Sequence, residues 1–420
     1  MALTTGKTIE LIFENAIETY EKQDQLLPLV DFEQPDPAKM QNAGDVVWRS
    51  VQQHAPIISG WDLTGDEQDI IEETYPSILG TPTNDLVKQR ADNMRDEQFW
   101  KRRGIESGRR QATELNSTIA DRIAVQGSLF YNSAATSGYD FIGEAQAIMN
   151  ERQAYKSDRC FVLNDRDNLT FASDLAGRQT LQGRPEETWS KGQIGANVAE
   201  FDVFTGSYLP TITGGASPDT TVTGNQSFAP EAGTVNTATG VVTNVDYRTA
   251  DIPVAASGGY NVGDKVTIGA VQSVGLADKN PTGQLMTFTI VAKPDATTIT
   301  VYPKPIAADD AALDDTEKAY ANIDTTIANA DVVARLNTDA SKKANLFWDK
   351  SAIEVLGGTI PANLFADFGG NKVLSETLSN GLEMYMLYDG DIVTMDFRFR
   401  IFTWYGVTVR NPQNCGLAVL

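Results

Sequence analysis

The side chains that most often perform catalysis or bind metals are scarce in this chain. There is one histidine, His54, and there are two cysteines, Cys160 and Cys415, so a zinc site made of His and Cys cannot form within one subunit. His54 lies in a polar run without a nucleophile signature, and we interpret it as an exposed or hydrogen-bonded side chain. The wide separation of the two cysteines indicates a reducing compartment and no disulfide framework.

Carboxylates are abundant, and one acidic cluster is the best candidate for a calcium site or a catalytic pair. Its members are Asp309, Asp310, Asp314, Asp315 and Glu317. They do not follow the order of an EF-hand loop, and acidic runs are usually solvated surfaces. Two glycosidase carboxylates can meet from distant parts of a fold, so an enzyme using Asp309 or Asp315 stays open as an alternative. We predict no catalytic residue, no cofactor and no metal.

Length and charge limit the class of protein. The 420 residues are 41% hydrophobic and predict two or three domains with real cores. The formal net charge of -22 argues against a protein that binds nucleic acid by neutralising phosphates. No run of eighteen apolar residues occurs, and Glu10, Glu14 and Glu18 interrupt the first twenty residues. We therefore expect no membrane span and no secretory signal, and a cytoplasmic protein.

The middle of the chain differs in composition from the rest. From Gly192 to Tyr247 there is no lysine or arginine, and Thr, Val, Ala and Gly dominate. This pattern predicts a β-rich unit inserted in a host domain, over residues 213–341, as a small antiparallel barrel or sandwich. Within it, residues 231–246 are rich in Thr, Asn and Gly, which favours an extended loop.

The host segments have helical and strand patterns. Residues 6–22 predict an acidic amphipathic helix that buries Ile9, Phe13, Ala16, Ile17 and Tyr20. Residues 46–79 predict a long β-hairpin that exceeds the needs of one domain and so reaches a partner. Near the end of the chain, residues 395–401 alternate between apolar and polar side chains, which predicts a strand with one buried face.

A second, longer helix is predicted from a cap at Asn84 to about Phe130, with a break at Gly104 or Gly108. Arginines between residues 90 and 110 alternate with acidic side chains, so ion pairs should cover its exposed faces. Its packing face is predicted to consist of Ile105, Ala112, Leu115, Ile119 and Ile123. Further helices are expected at 139–155 and, capped by Asn164, at 164–177.

Ten short strings occur in one order along most of the chain. They are Gly60-Trp-Asp-Leu-Thr64; Arg90-Ala-Asp92 with Arg95-Asp-Glu97; Arg184-Pro-Glu-Glu187; Gly263-Asp-Lys265; Pro303-Lys-Pro305; Ala319-Tyr-Ala-Asn322; Phe347-Trp348; Ile360-Pro-Ala-Asn363; Gly390-Asp-Ile392; and Trp404-Tyr-Gly-Val407. In this order they resemble the major coat proteins of the short-tailed lambdoid phages typified by phage P-twenty-two. The resemblance extends from residue 60 to residue 407.

The resemblance implies an α+β fold of the HK-ninety-seven (Johnson) capsid type with an inserted antiparallel β-barrel, the I-domain. The implied parts are the N-terminal arm and connector at 1–45, the E-loop at 46–84, the P-domain spine helix at 85–130, the A-domain at 131–212 and 342–390, the I-domain at 213–341 with a D-loop at about 231–246, and the P-domain or hinge strands with the C-terminus at 391–420.

The resemblance also implies the function. A coat protein of this kind assembles with scaffolding protein into an icosahedral procapsid in the cytoplasm of a bacterial host, matures, and encloses double-stranded DNA in the virion. Its expected partners are copies of itself in hexamers and pentamers, a scaffolding protein, a portal protein and the packaged DNA, without a membrane. The alternatives are a carbohydrate-active enzyme and a β-rich adhesion module.

Two hypotheses about contacts follow from these assignments. Glu10, Glu14 and Glu18 are expected to steer a basic segment of the scaffolding protein, because opposite charges accelerate encounter. Asp246 and Arg248, at the end of the D-loop, are expected to lock neighbouring capsomers together.

Overall fold

A computed structural model gives the fold of most of the chain. It describes residues 5–35, 44–51, 60–62, 64, 71–90, 97–133, 138–154, 156–177, 193–216, 219–235, 237–338, 340–360, 372–391 and 393–420. His54 and the string Arg184–Glu187 lie outside these ranges. The chain divides into unit 1, which comprises Met1–Val47, Ser77–Ile119 and Glu354–Thr408, and unit 2, which comprises Trp48–Pro76, Ala120–Ile353 and Val409–Leu420.

Helices and strands are both present, which confirms the prediction of a mixed fold. The α-helices of the described residues are α1 (Thr5–Gln23), α2 (Glu97–Gln126), α3 (Tyr139–Glu151), α4 (Asp165–Gly177) and α5 (Asp315–Lys318). Single 3-10 turns lie at Leu27–Leu29, Lys350–Ala352 and Pro412–Asn414.

The strands are short and numerous. They are β1 (Asp31–Glu33), β2 (Val46–Ser50), β3 (Thr74–Ile78), β4 (Thr83–Arg90), β5 (Leu129–Asn132), β6 (Arg159–Asn164), β7 (Gln193–Val198), β8 (Phe201–Gly206), β9 (Thr211–Ile212), β10 (Thr220–Thr221), β11 (Thr234–Val235), β12 (Val242–Thr243), β13 (Ala250–Pro253), β14 (Lys265–Ile268), β15 (Gln272–Val274), β16 (Pro281–Leu285), β17 (Phe288–Asp295), β18 (Thr298–Tyr302), β19 (Val332–Arg335), β20 (Lys342–Lys343), β21 (Asn345–Asp349), β22 (Ile353–Gly357), β23 (Lys372–Thr377), β24 (Glu383–Asp391), β25 (Asp396–Thr403), β26 (Tyr405–Val409) and β27 (Cys415–Val419).

Unit 1 is built on an antiparallel sheet of four strands in the order β23-β24-β25-β4. The alternation predicted for residues 395–401 forms β25, whose Phe397, Phe399 and Ile401 are buried. Trp100 of α2 is fully buried and meets the rings of Phe397 and Phe399 edge-on, at centroid distances of 6.0 and 5.9 Å. The period-two pattern of β25 therefore provides the surface that α2 covers.

The long helix differs from its prediction at both its start and its middle. Asn84 does not cap a helix, because it lies in strand β4, which pairs with β25 over its whole length. The cross-strand pairing of Val87 with Phe399 outweighs the polar capping signal of Asn84. The helix begins at Glu97, ends at Gln126 and continues without a break through Gly104 and Gly108.

Gly104 and Gly108 bring α1 close to α2. A Cβ atom on Gly104 would lie less than 3.0 Å from the carbonyl oxygen of Ile12, and one on Gly108 would lie less than 3.0 Å from that of Ala16. Real Cβ atoms do not approach oxygen so closely. The absence of side chains at these two positions, one helical turn apart, is therefore what permits the close packing of the two helices.

Unit 2 contains a mixed sheet of six strands in the order β5-β27-β21-β6-β8-β7. Its core contains an aromatic cluster in which Phe161 stacks on Phe347 at 6.0 Å with an interplanar angle of 14°. Cys160 and Cys415 are free, and burial is the main cause that raises the pKa of each thiol to about 12. Both thiols are therefore protonated and unreactive at neutral pH.

The inserted region contains a second six-stranded sheet, which is antiparallel and has the order β10-β19-β14-β17-β18-β13. The predicted barrel is not found as a closed structure among the described residues. The outer strands approach each other only at an isolated bridge between Val222 and Val254. Strand β10 has two residues, so it is too short to pair continuously across this seam.

A buried lysine joins this sheet to the C-terminal end of α2. The Lys265 ammonium donates hydrogen bonds to the carbonyl oxygens of Gly127 (2.5 Å) and Val125 (3.4 Å) and to the Thr289 hydroxyl (2.8 Å). These carbonyls have no partner within the helix, and a cation at a helix C-terminus is favourable. Desolvation lowers the pKa of Lys265 to about 7, because burial disfavours the charged form of the side chain.

The contact between α1 and α2 generates the first prediction. Replacing Gly108 with Ala should separate the helices and destabilise unit 1 by about 1–3 kcal/mol, because the new methyl group meets a backbone oxygen. The matched control is Gly143→Ala in α3, where an added Cβ meets nothing within 4 Å, so that variant should gain about 0.5–1 kcal/mol.

Amide hydrogen exchange of residues 9–20, together with the urea midpoint, provides the measurement. Exchange in α1 should accelerate in the Gly108→Ala variant and not in the Gly143→Ala variant. Equal protection of α1 in both variants would show that the helices do not depend on this close approach.

Candidate functional site

The acidic row of α1 is exposed. Glu10, Glu14 and Glu18 follow one another at intervals of four residues and point away from the buried face of the helix. The buried face contains Ile9, Ile12, Phe13, Ala16 and Tyr20, whereas Ile17, which was predicted to belong to it, is only partly buried. The Glu18 carboxylate pairs with Lys22 at 2.5 Å, and this hydrogen bond is the main cause that lowers the pKa of Glu18.

Of the five residues predicted to form the packing face of α2, four are buried and one is partly exposed. Ala112, Leu115, Ile119 and Ile123 are fully buried, but Ile105 is 39% exposed. At 100° per residue, Ile105 lies about 80° from Leu115 around the helix, at the edge of the buried arc. Gly104 and Gly108, at one of which the sequence predicted a break, lie at the contact with α1.

Arg248 is a buried side chain of unit 2 with contacts to several segments of the chain. Its guanidinium lies between the rings of Tyr75 and Tyr302, at 4.6 and 5.1 Å from their centroids. Two of its nitrogens donate to the Asp246 carboxylate, each at 2.9 Å. The remaining terminal nitrogen donates to the backbone carbonyl of Val409 at 2.5 Å. We call this arrangement the Arg248 clamp, because it joins β3, the inserted region and the C-terminal segment.

The geometry of the clamp gives Arg248 contacts within its own subunit, and its predicted contact with a neighbouring capsomer stays a hypothesis. Its side chain is 9% exposed, and its three nitrogens are engaged within the same subunit. Asp246 uses both carboxylate oxygens to hold Arg248 and keeps 30% of its side chain exposed. A bidentate pair between two aromatic rings is typical of an arginine that fixes packing.

The predicted loop at 231–246 is a small hairpin of strands β11 and β12. Val235, Val241 and Val245 are each more than half exposed on it. Solvent-exposed valines on a projecting hairpin are unfavourable for an isolated subunit, so this segment is suited to contact another surface. These exposed valines are further contact candidates on the same segment.

A polar cleft lies beside the clamp in unit 2. Its lining includes Glu73, Lys279, Lys304, Tyr320 and Gln413. Burial is the main cause that raises the pKa of Glu73 to about 7, and the positive charge of Lys304 partly opposes it. Lys304 itself pairs with Glu231 at 3.2 Å. No sequence signal pointed to this cleft, since its residues come from at least five separate segments without a shared motif.

The acidic cluster at 309–317 has structural roles. Asp314 accepts a hydrogen bond from the Glu317 amide, and the Glu317 side chain accepts one from the Asp314 amide, so the two residues form the capping box of α5. Asp309 accepts from the amide of Thr326 and Asp310 from that of Ala312. Across the described ranges, no group of three or more His, Cys, Asp or Glu residues is placed to hold a metal ion.

None of the described helices has both the length and the apolar character that crossing a bilayer requires.

Comparison with protein families places this chain among phage coat proteins. The family model described as P22 coat protein, gene protein 5, matches residues 1–420. The chain belongs to this coat protein family and is a component of an icosahedral virion capsid. The match agrees with the resemblance of the ten sequence strings, and it gives no support to the alternatives of an enzyme acting on carbohydrate or an adhesion module.

Solved structures with detectable likeness include three from phages. The I-domain of the CUS-3 coat protein is 33% identical to this chain. The match covers 30% of this chain and 100% of the I-domain chain, with a TM-score of 0.24. The capsid of cyanophage P-SCSP1u is 9% identical over 93% of this chain and 86% of its own, with a TM-score of 0.41. A structure from Mycobacterium phage Che8 is 11% identical, and the match covers 94% of this chain and 90% of the phage chain with a TM-score of 0.41. At these TM-scores we base no conclusion on them.

The clamp generates the second prediction. Arg248→Met should destabilise the unassembled chain by about 3–5 kcal/mol, because Asp246 is left as an uncompensated, largely buried charge and the Val409 carbonyl loses its donor. The control is Arg166→Met, which removes the same charge from an exposed position in α4 and should change little. Thermal unfolding of both variants before assembly distinguishes the roles of Arg248. Normal stability with failed assembly would support the hypothesis of a contact between capsomers.

Proposed function

We propose that this coat protein assembles with a scaffolding protein into a procapsid, which matures around double-stranded DNA, and that the protein has no catalytic activity. The observation that carries the proposal is the family match over the whole chain, together with surfaces that one subunit leaves uncovered. Trp61 is fully exposed, and the valines of the β11–β12 hairpin are more than half exposed. Burying such surfaces on copies of the same chain stabilises a closed lattice through many weak contacts.

The parts of the fold support a capsid architecture of the HK-ninety-seven type. We assign α1 and its connector to the arm, the β2–β3 ribbon to the root of the E-loop, and α2 to the spine helix. The six-stranded sheet that contains β21 and β27 corresponds to the A-domain, and residues 213–341 to the inserted I-domain. The boundary of the spine helix becomes 97–126, instead of the 85–130 expected from the sequence.

The charge of the chain suits a container for DNA. With 56 acidic and 34 basic side chains, its surface as a whole repels phosphates, so packaged DNA can remain mobile against the inner wall. The same excess of acid supports recognition by a basic partner, which we propose is the scaffolding protein. A portal protein completes the proposed set of partners, and assembly takes place in the host cytoplasm.

The third prediction tests shell formation directly. Purified chain mixed with scaffolding protein should yield closed shells of uniform size in electron micrographs. Deleting residues 233–244, the exposed hairpin, should leave the subunit folded. The shells should be open or misshapen, because the variant lacks exposed valines that would contact a neighbouring subunit. Failure of the unaltered chain to form shells would reject the proposed function, whereas normal shells from the deletion variant would reject only the role of the hairpin.

The fourth prediction concerns the acidic row. If Glu10, Glu14 and Glu18 steer a basic scaffolding segment, the triple Glu→Gln variant should assemble at least several-fold more slowly at low salt, and raising the salt should slow the unaltered chain towards the same rate. Light scattering during assembly gives both rates. A triple Gln substitution at Glu106, Glu144 and Glu151, which removes equal charge elsewhere, is the control. Identical rates and salt dependence for all three proteins would exclude the row as a docking site.

A further inference from the structure

Lys279 has an unusual backbone conformation in a well-supported turn. It lies between β15 and β16 with a φ of 58°, in the left-handed region that side chains other than Gly, Asn and Asp seldom adopt. The turn is held by the Lys279 amide, which donates to the Gly275 carbonyl at 3.1 Å, and by Gln153, whose side-chain oxygen accepts from the amides of Ala277 and Asp278. Strain of this kind is found where a side chain must be presented in one direction.

The side chain of Lys279 lines the polar cleft and is not paired with a carboxylate. Its ammonium donates one hydrogen bond, to the Ala321 carbonyl at 3.3 Å, and it makes no ion pair with any part of the chain that the structure describes. Burial alone lowers the pKa of Lys279 to about 8. An ammonium has three donors, so two of them remain available to a ligand that enters the cleft.

Two other cations near the cleft are paired with carboxylates within the subunit. Lys304 pairs with Glu231, and Arg248 pairs with Asp246. The Oε1 atom of Glu73 is buried and has no hydrogen-bond partner among the described residues. Among the side chains that the structure describes, the cleft therefore presents the Lys279 ammonium, which has no carboxylate partner, and, when Glu73 is protonated, a carboxylic acid donor. Both groups fit an entering carboxylate.

We propose that this cleft is a socket for an Asp or Glu side chain from a neighbouring copy of the chain, which pairs with the Lys279 ammonium when shells assemble. The occupant is argued from charge complementarity, because each copy carries 22 more acidic than basic side chains. In a shell, these carboxylates are held next to neighbouring subunits at high effective concentration. The inference rests on the proposed assembly function.

Two variants and a control test the socket. Lys279→Gln removes a partly desolvated charge, so the unassembled chain should unfold at the same or a higher temperature, while the concentration required for shell assembly should rise roughly tenfold or more. Lys279→Arg keeps the charge and should assemble nearly normally. Lys156→Gln removes an exposed charge that pairs with Glu200 and should leave both quantities unchanged.

Zero-length carbodiimide crosslinking identifies the occupant. Shells assembled from equal amounts of 14N- and 15N-labelled chain should contain mixed-isotope crosslinks between Lys279 and an Asp or Glu residue. The carbodiimide activates the carboxylate. The lysine amine then forms an amide bond with it, and the carbodiimide leaves as the corresponding urea.

Several outcomes overturn the inference without affecting the coat protein function. These are normal assembly of Lys279→Gln, a fall in its unfolding temperature that matches its loss of assembly, and the absence of mixed-isotope crosslinks to Lys279 in shells of the unaltered chain. Failure of the unaltered chain to form any shell would instead reject the function on which the inference rests.

Discussion

A buried guanidinium must have hydrogen-bond acceptors in several directions at once, and unit 2 is organised around this requirement at Arg248. The acceptors come from Asp246, two residues earlier, and from Val409 near the C-terminus. Tyr75 and Tyr302 enclose the planar group from the ribbon and the inserted sheet. A shift of Asp246 or Val409 would leave the buried guanidinium without one of its acceptors. The clamp therefore ties Tyr75 of β3 to the inserted region and to the C-terminal segment.

Unit 1 meets a different constraint, which is steric. The arm helix α1 has only one strongly apolar face, and it can be held only if its backbone comes close enough for Ile12 and Ala16 to pack on α2. Two glycines on α2 remove the atoms that would prevent this approach. Asn116 then binds the end of the arm by accepting from the Leu26 amide and donating to the Gln23 carbonyl. The acidic row consequently faces outward.

Periodic patterns of apolar residues in the sequence predicted the helix and the strand that each bury one face. The alternation at 395–401 and the amphipathic helix at 6–22 are both present, as strand β25 and helix α1. Features that depend on long-range contacts were not predictable. Asn84 is in a strand because Phe402 lies opposite it, and Arg248 is buried because Val409 lies beside it. The glycine pair was visible as a four-residue spacing, but a glycine in a helix signals a weakness as readily as a contact.

Charges that are paired within the subunit stabilise its fold, whereas a charge without a carboxylate partner is available for assembly contacts. Inside a folded chain, selection for stability pairs buried charges, as it does for Arg248 with Asp246 and for Lys304 with Glu231. A half-buried charge without a partner, held in place by a strained turn, costs stability in the isolated chain. Such a loss of stability in the isolated chain is retained in evolution when the same residue stabilises another state of the protein. For a coat protein that state is the shell, where the neighbouring copy supplies what the single chain lacks, so Lys279 marks a place where folding alone is incomplete.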